Sequence, residues 1–168
     1  MYPKARVGYH VFGRTLNETL RIPVVAPLAV GAVMVAVTLA IHSLAVIATV
    51  QLFRHEKKVG RAGSSTLMDV TIVFRVNALA SFAHVLEIGL WAVVFMKCGE
   101  FRYFGTALYH SAVNYSTLGY GDIVMSPAWR MLGPIEAANG ALLFGVSTAM
   151  IFAVIQGLVA IRYRDLES

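Results

Sequence analysis

The sequence predicts an all-α membrane protein, and three observations carry that prediction. Apolar residues fill 58% of the 168 positions and charged residues only 14%, with a mean hydropathy of +0.69. A soluble domain cannot cover that much apolar surface with polar groups. The apolar residues fall into three runs, each long enough for the roughly 20-residue helix that crosses a hydrocarbon core. Between the last two runs lies a segment too short to span, followed by a glycine-rich return, which reads as a re-entrant loop. Such backbone persists at membrane depth only where protein or a watery path surrounds it.

Residues 1–22 are mixed in character, with Lys4, Arg6, Arg14 and Arg21, and read as an interfacial or loose arm. They hold no apolar stretch of the kind a cleavable signal peptide needs. Residues 23–53 are almost unbroken apolar sequence. Two passes would need about 40 residues, so this is one long or tilted helix, with Pro23 and Pro27 suited to its first turn. Arg54, His55, Glu56, Lys57, Lys58 and Arg61 end it, and 54–69 form a loop containing Gly60, Gly63, Ser64 and Ser65. Residues 70–161 form the next unit. It has an outer helix ending near Lys97, a short helix at 104–115, a glycine-rich strand at 117–122 and a last helix at 134–161. Residues 162–168 are a short tail.

Charge gives topology. The net charge of +5 is modest and gathers at the ends of the apolar runs, which points to membrane orientation and away from nucleic acid. Four Lys/Arg within residues 54–61 place that loop in the cytoplasm. The tail is then cytoplasmic and the re-entrant loop opens to the outside. The arm at 1–22 falls outside, against the rule; the denser 54–61 cluster decides. That cluster also offers a contact for anionic lipid, although topology alone accounts for it. The lone Cys98 excludes an intramolecular disulfide and reads as a free thiol. No span carries an arginine at every third position, so no voltage sensor is expected. Seven residues follow Ile161, too few for a ligand-binding domain.

The stretch NYSTLGYGDIV at 114–124 carries the chemistry. An ion crossing a bilayer loses its water and needs oxygens in exchange. Successive backbone carbonyls supply them if the chain alternates conformation, including positive φ, which glycine tolerates best. Gly119 and Gly121 alternate with Leu118 and Tyr120 in this way, and Thr117 adds a hydroxyl oxygen at the inner end. One loop cannot surround an ion, so several copies must meet on an axis.

Thr117-Leu118-Gly119-Tyr120-Gly121-Asp122 resembles the selectivity signature of potassium channels. From about residue 85 to 161 the chain resembles small bacterial members of the two-transmembrane pore-domain ion channel superfamily, with one helix added in front. The resemblance implies a tetramer, here a homotetramer, in the cell membrane, most naturally a bacterial inner membrane. Potassium ions would sit among the oxygens of Thr117, Leu118, Gly119 and Tyr120, and no cofactor is required. Leu118 stands where valine is usual and Ser116 where threonine is common; the Leu118 carbonyl is retained. Relatives brace the filter with aromatic residues on the pore helix. Here those positions are Tyr109, within reach of Asp122, and His110, expected to touch Tyr120 of its own or a neighbouring chain. Val113 stands where some relatives pair a glutamate with the filter aspartate. Gly145 resembles a hinge glycine of the inner helix; close helix packing explains it equally well.

Polar residues inside the spans add a second question. Asn77, Ser81, His84 and Glu87 share one face of the outer helix at about 100° per residue, with Arg75 opposite and able to snorkel. His42 lies near the centre of the first span, and Glu136 and Asn139 share a face of the last. Such groups need partners. Three readings compete: a hydrogen-bonded network tying the first helix to the pore unit, a pH-sensitive gating latch on His84 and Glu87, or a metal or proton site from His42, His84 and Glu87. A His-x-x-Glu pair can ligate zinc, but three ligands are normally wanted.

The expected function is passive, potassium-selective conduction rather than an enzymatic reaction. The alternatives are a membrane protein or enzyme handling metal or protons through His42, His84 and Glu87, and a regulatory pore subunit.

Overall fold

A computed structural model describes residues 24–163. The 1–22 arm, Pro23 and residues 164–168 lie outside the described residues. Four helices follow one another: α1 (Val25–Lys58), α2 (Thr66–Lys97), α3 (Phe104–Tyr115) and α4 (Leu132–Tyr163). Three of them are long and apolar enough to cross a membrane. At 1.5 Å per residue each of these is about 50 Å long, well beyond the roughly 30 Å hydrocarbon core. Their ends therefore extend past the apolar layer or the helices tilt.

The helix ends differ from the sequence expectation, and caps explain why. The first span was expected to stop at Phe53, but α1 runs on to Lys58. Arg, Glu and Lys are good helix formers, and His55, Lys57 and Lys58 in the last turn complement the helix dipole. Gly60, at φ +72°, then turns the chain. The second helix starts at Thr66 rather than 70 because Ser65 caps it, accepting from the Met68 amide at 3.2 Å. The last helix takes in Leu132 and Gly133 before Pro134 and extends through Arg162. Pro27 and Pro134 both sit in first turns, where a missing N–H breaks no bond.

The three long helices pack side by side, and α3 wedges between α2 and α4 at one end. Two apolar cores result. At the α3 end Met34, Trp91, Phe95, Tyr115, Met125, Leu132 and Leu143 are buried together. At the other end Ala62, Ile72, Val76, Ala80, Met150, Val154 and Leu158 form the second core. Small residues let α1 and α4 approach closely at both ends. A Cβ on Gly31 would lie 2.8 Å from Ile135, and one on Gly157 would lie 2.7 Å from Phe53. Phe74, Phe82, Val85 and Leu44 remain exposed on the outside of the bundle, as lipid or a neighbouring chain requires.

Charged residues are tied down at the end away from α3. Glu56 is buried and accepts from Arg75 at 2.5 Å, with Arg61 at 3.6 Å. Arg75 thus reaches a specific carboxylate, a partner that helical spacing alone did not reveal. Arg162 near the end of α4 pairs with Asp69 of α2 at 2.9 Å, and Asp69 also accepts from the Gly63 amide at 2.8 Å. Cys98 lies just past α2; burial, then the nearby Glu100 charge, push its thiol above the ordinary range, so it is a poor nucleophile.

Candidate functional site

The glycine-rich strand begins where α3 ends. Ser116 caps α3, its hydroxyl donating to the Ala112 carbonyl at 2.7 Å. The Thr117 amide donates to Asn114 O at 2.8 Å, and the Leu118 and Gly119 amides both donate to Val113 O at 3.0 and 3.2 Å. Thr117, Gly119 and Gly121 have φ of +59°, +60° and +71°. Every second residue is therefore left-handed, the backbone condition for successive carbonyls to face one side. The sequence singled out the two glycines; Thr117 takes the same conformation despite its branched side chain, a strained choice typical of functional backbone. A Cβ added at Gly119 or Gly121 would meet nothing within 4 Å. Residues 117–121 are all exposed in the single chain, so one chain leaves the strand's open side uncovered.

Side chains of α3 hold the strand from behind. The Tyr109 hydroxyl donates to Asp122 Oδ2 at 2.7 Å, and Asp122 Oδ1 accepts from the Ile123 amide at 3.0 Å. The Tyr109 hydrogen bond is the main reason the Asp122 carboxyl lies below its ordinary range. His110 does not reach Tyr120 within the chain. Its Nδ1 lies 3.0 Å from the Ile123 carbonyl and its Nε2 lies 2.9 Å from Asn114 Nδ2. Asn114 is a donor there, so Nδ1 carries the hydrogen and donates to Ile123. The His110 ring packs against Phe95 and Phe101, which turns it away from the strand's open side. The loop beyond is pinned by Glu100, which accepts from both the amide and the hydroxyl of Ser126 at 2.6 Å.

Gly145 of α4 has no atom of its own chain within 4 Å of an added Cβ. The closest approach of another part of the chain to a glycine of α4 is at Gly140, where a Cβ would lie 2.2 Å from the Tyr115 carbonyl oxygen. The backbone just before the strand is thus pressed directly onto α4. Glu136 Oε1, one turn earlier on α4, accepts from Ser111 at 2.5 Å, and Asn139 Nδ2 donates to Thr38 of α1 at 2.8 Å.

The structure brings His42, His84 and Glu87 together, and two residues that the sequence did not mark complete the group. His42 Nδ1 lies 3.1 Å from Glu87 Oε1, and His42 Nε2 lies 3.1 Å from Ser147 Oγ. Ser147 Oγ lies 3.0 Å from His84 Nε2, and His84 Nδ1 lies 2.9 Å from the Tyr115 hydroxyl. Tyr115 donates to Glu87 Oε2 and closes the ring. All five side chains are buried, and they come from all four helices. Asn77 and Ser81 do not join. They are exposed at the edge of the α2 face, and Asn77 bonds its own helix at Val73 O. The three candidate ligand atoms of His42, His84 and Glu87 lie within 4.8 Å of one another, close enough for a metal. Both nitrogens of each imidazole and both carboxylate oxygens already have side-chain partners, however. The arrangement is a hydrogen-bonded ring and not a ligand set converging on a point.

Residues 83–157 match the model of a protein family described as ion channel. No curated protein and no solved structure matches the chain. The matched stretch runs from α2 through α3 and the glycine-rich strand into α4, the parts whose geometry is described above. Over that stretch the chain is similar to the ion channel family in its two-transmembrane pore-domain form, and α1 is one further apolar helix placed in front.

Proposed function

We propose that this multi-pass membrane protein conducts potassium selectively and passively as a fourfold homotetramer. The observation that carries the reading is the left-handed conformation at Thr117, Gly119 and Gly121 within Thr117-Leu118-Gly119-Tyr120-Gly121-Asp122. Alternation at every second residue suits a column of carbonyl oxygens that replaces an ion's hydration shell. The strand's exposure in one chain supports closure by symmetry, since each ion needs oxygens from all sides. Tyr109, Asp122 and His110 act as supports, and no cofactor takes part. The 54–61 loop faces the cytoplasm of a bacterial cell and the Asp122 end faces out.

Purified protein in liposomes tests this. With potassium and sodium gradients applied separately, potassium flux should exceed sodium flux by a wide margin without added metal. Equal fluxes would leave an unselective pore. Absence of flux would return the chain to a regulatory role beside other pore subunits.

A further inference from the structure

The ring of Glu87, His42, Ser147, His84 and Tyr115 has five contacts to fill, and its hydrogens can be counted. An ionised carboxylate brings none. A neutral imidazole brings one, a serine hydroxyl one and a tyrosine hydroxyl one. The sum is four hydrogens for five contacts, whichever tautomers the two imidazoles adopt. One contact must then set two lone pairs against each other. For example, if Tyr115 donates to Glu87 and His84 donates to Ser147, then His84 Nδ1 and the Tyr115 oxygen face each other at 2.9 Å with no hydrogen between. A fifth hydrogen closes the ring. It also cancels the carboxylate charge, so the closed ring is neutral overall. A buried ring bearing a net negative charge would be costly in so apolar a setting.

We propose that this ring is a proton-binding site, and that the bound proton holds the base of the filter through Tyr115. The tyrosine sits two residues before Thr117. Its carbonyl rests on Gly140 and its hydroxyl is a ring member. With the proton bound, α1, α2 and α4 are all joined to the end of α3. When it leaves, one link opens beside the filter. The titratable groups facing the site are His42 from α1, His84 and Glu87 from α2, and Tyr115 from α3. From α4 comes Glu136, held by Ser111 one turn before Tyr115. The first helix, which precedes the matched pore segment, thereby acquires a role: it contributes His42.

Glu87→Gln makes the proposal testable because the same count applies. The amide brings one hydrogen to the ring, giving five for five contacts with both imidazoles neutral. The variant should assemble, conduct and mimic the protonated ring permanently. Two measurements follow, on purified full chain and on the same protein in liposomes. Titrated over one pH range in which both proteins stay folded, the parent should take up one more proton per chain than Glu87→Gln. Over that range parent flux should fall as pH rises, and the variant should stay at the parent's low-pH level. Equal proton uptake overturns the site. So does failure of the variant to assemble, because its ring is closed by count. A parent whose flux ignores pH, or a variant that keeps the parent's profile, overturns the coupling to the filter. The flux measurement rests on conduction by this chain. Absence of current in both proteins would remove that coupling along with the proposed function, whereas a pH-flat current would remove the coupling alone.

Discussion

Gly140 is where one methyl group should matter most. In Gly140→Ala the new Cβ would lie 2.2 Å from the Tyr115 carbonyl oxygen, 3.0 Å from its carbonyl carbon and 3.1 Å from its ring. The two closest atoms are backbone, so no rotamer change relieves the clash. Helix α4 must withdraw by about 1 Å to restore ordinary contact. Overpacking of this kind costs about 1–3 kcal/mol. Withdrawal also stretches the bonds from Ser147, two turns along α4, to His42 and His84 at 3.1 and 3.0 Å. A neutral hydrogen bond contributes about 0.5–1.5 kcal/mol, so with both bonds lost the whole loss is about 2–6 kcal/mol. Thermal unfolding in detergent should show a drop of several degrees, and liposome flux should fall with it. Gly145→Ala is the comparison. It meets nothing within 4 Å in the chain, and alanine favours a helix over glycine by about 1 kcal/mol. A Gly140→Ala protein that melts with the parent would refute the packing argument.

Other substitutions test the filter and the assembly. Gly119→Ala places a Cβ at φ +60°, a left-handed position that L-residues adopt at a cost of roughly 1–2 kcal/mol; potassium flux should vanish while insertion persists, and unchanged flux would remove the filter assignment. Native mass measurement in detergent should give four chains, and a stable conducting dimer would contradict fourfold closure. Tyr109→Phe deletes the 2.7 Å bond to Asp122 and should keep selectivity while speeding the loss of current during sustained opening. Tyr109 holds the Asp122 carboxyl below its ordinary range. In the parent the brace is therefore present above that range and lost as acid protonates Asp122, so current decay should quicken on the acid side. Identical decay in mutant and parent at neutral pH would count against the brace.

The helices were legible because lipid imposes a length and a composition on anything that crosses it. That constraint marked three spans and left 104–115 as a short helix between two of them. It said little about where helices stop. Arg54 to Lys58 are polar and so read as loop, yet they continue α1 because a helix leaving the apolar layer still prefers its own hydrogen bonds. Ser65 and Thr66 read as part of the same loop, yet a serine cap starts α2 there. Apolar runs report the membrane, whereas caps report the helix.

The filter and the ring differ in legibility for a physical reason. The chemistry proposed for the filter is carried by main chain, so its requirement falls on neighbouring residues, and two glycines two apart point to it. The ring is carried by side chains from four helices. His84 and Glu87 were visible as a pair three apart, and His42 as an isolated polar residue in an apolar run. Tyr115 looked like one more aromatic of a short helix and Ser147 like one more small residue of α4. Nothing local tells which hydroxyl meets which imidazole. The ring also fixes what the apolar cores leave free. Apolar side chains on either side of it contact without the directionality of a hydrogen bond. A one-residue slip of α4 would carry Ser147 about 100° around its helix and leave Nε2 of both His42 and His84 without a partner in the interior. Unpaired buried polar groups are costly, so the five-membered ring sets the register of α1, α2 and α4 against the base of the glycine-rich strand, and it does so at the residue whose carbonyl already rests on Gly140.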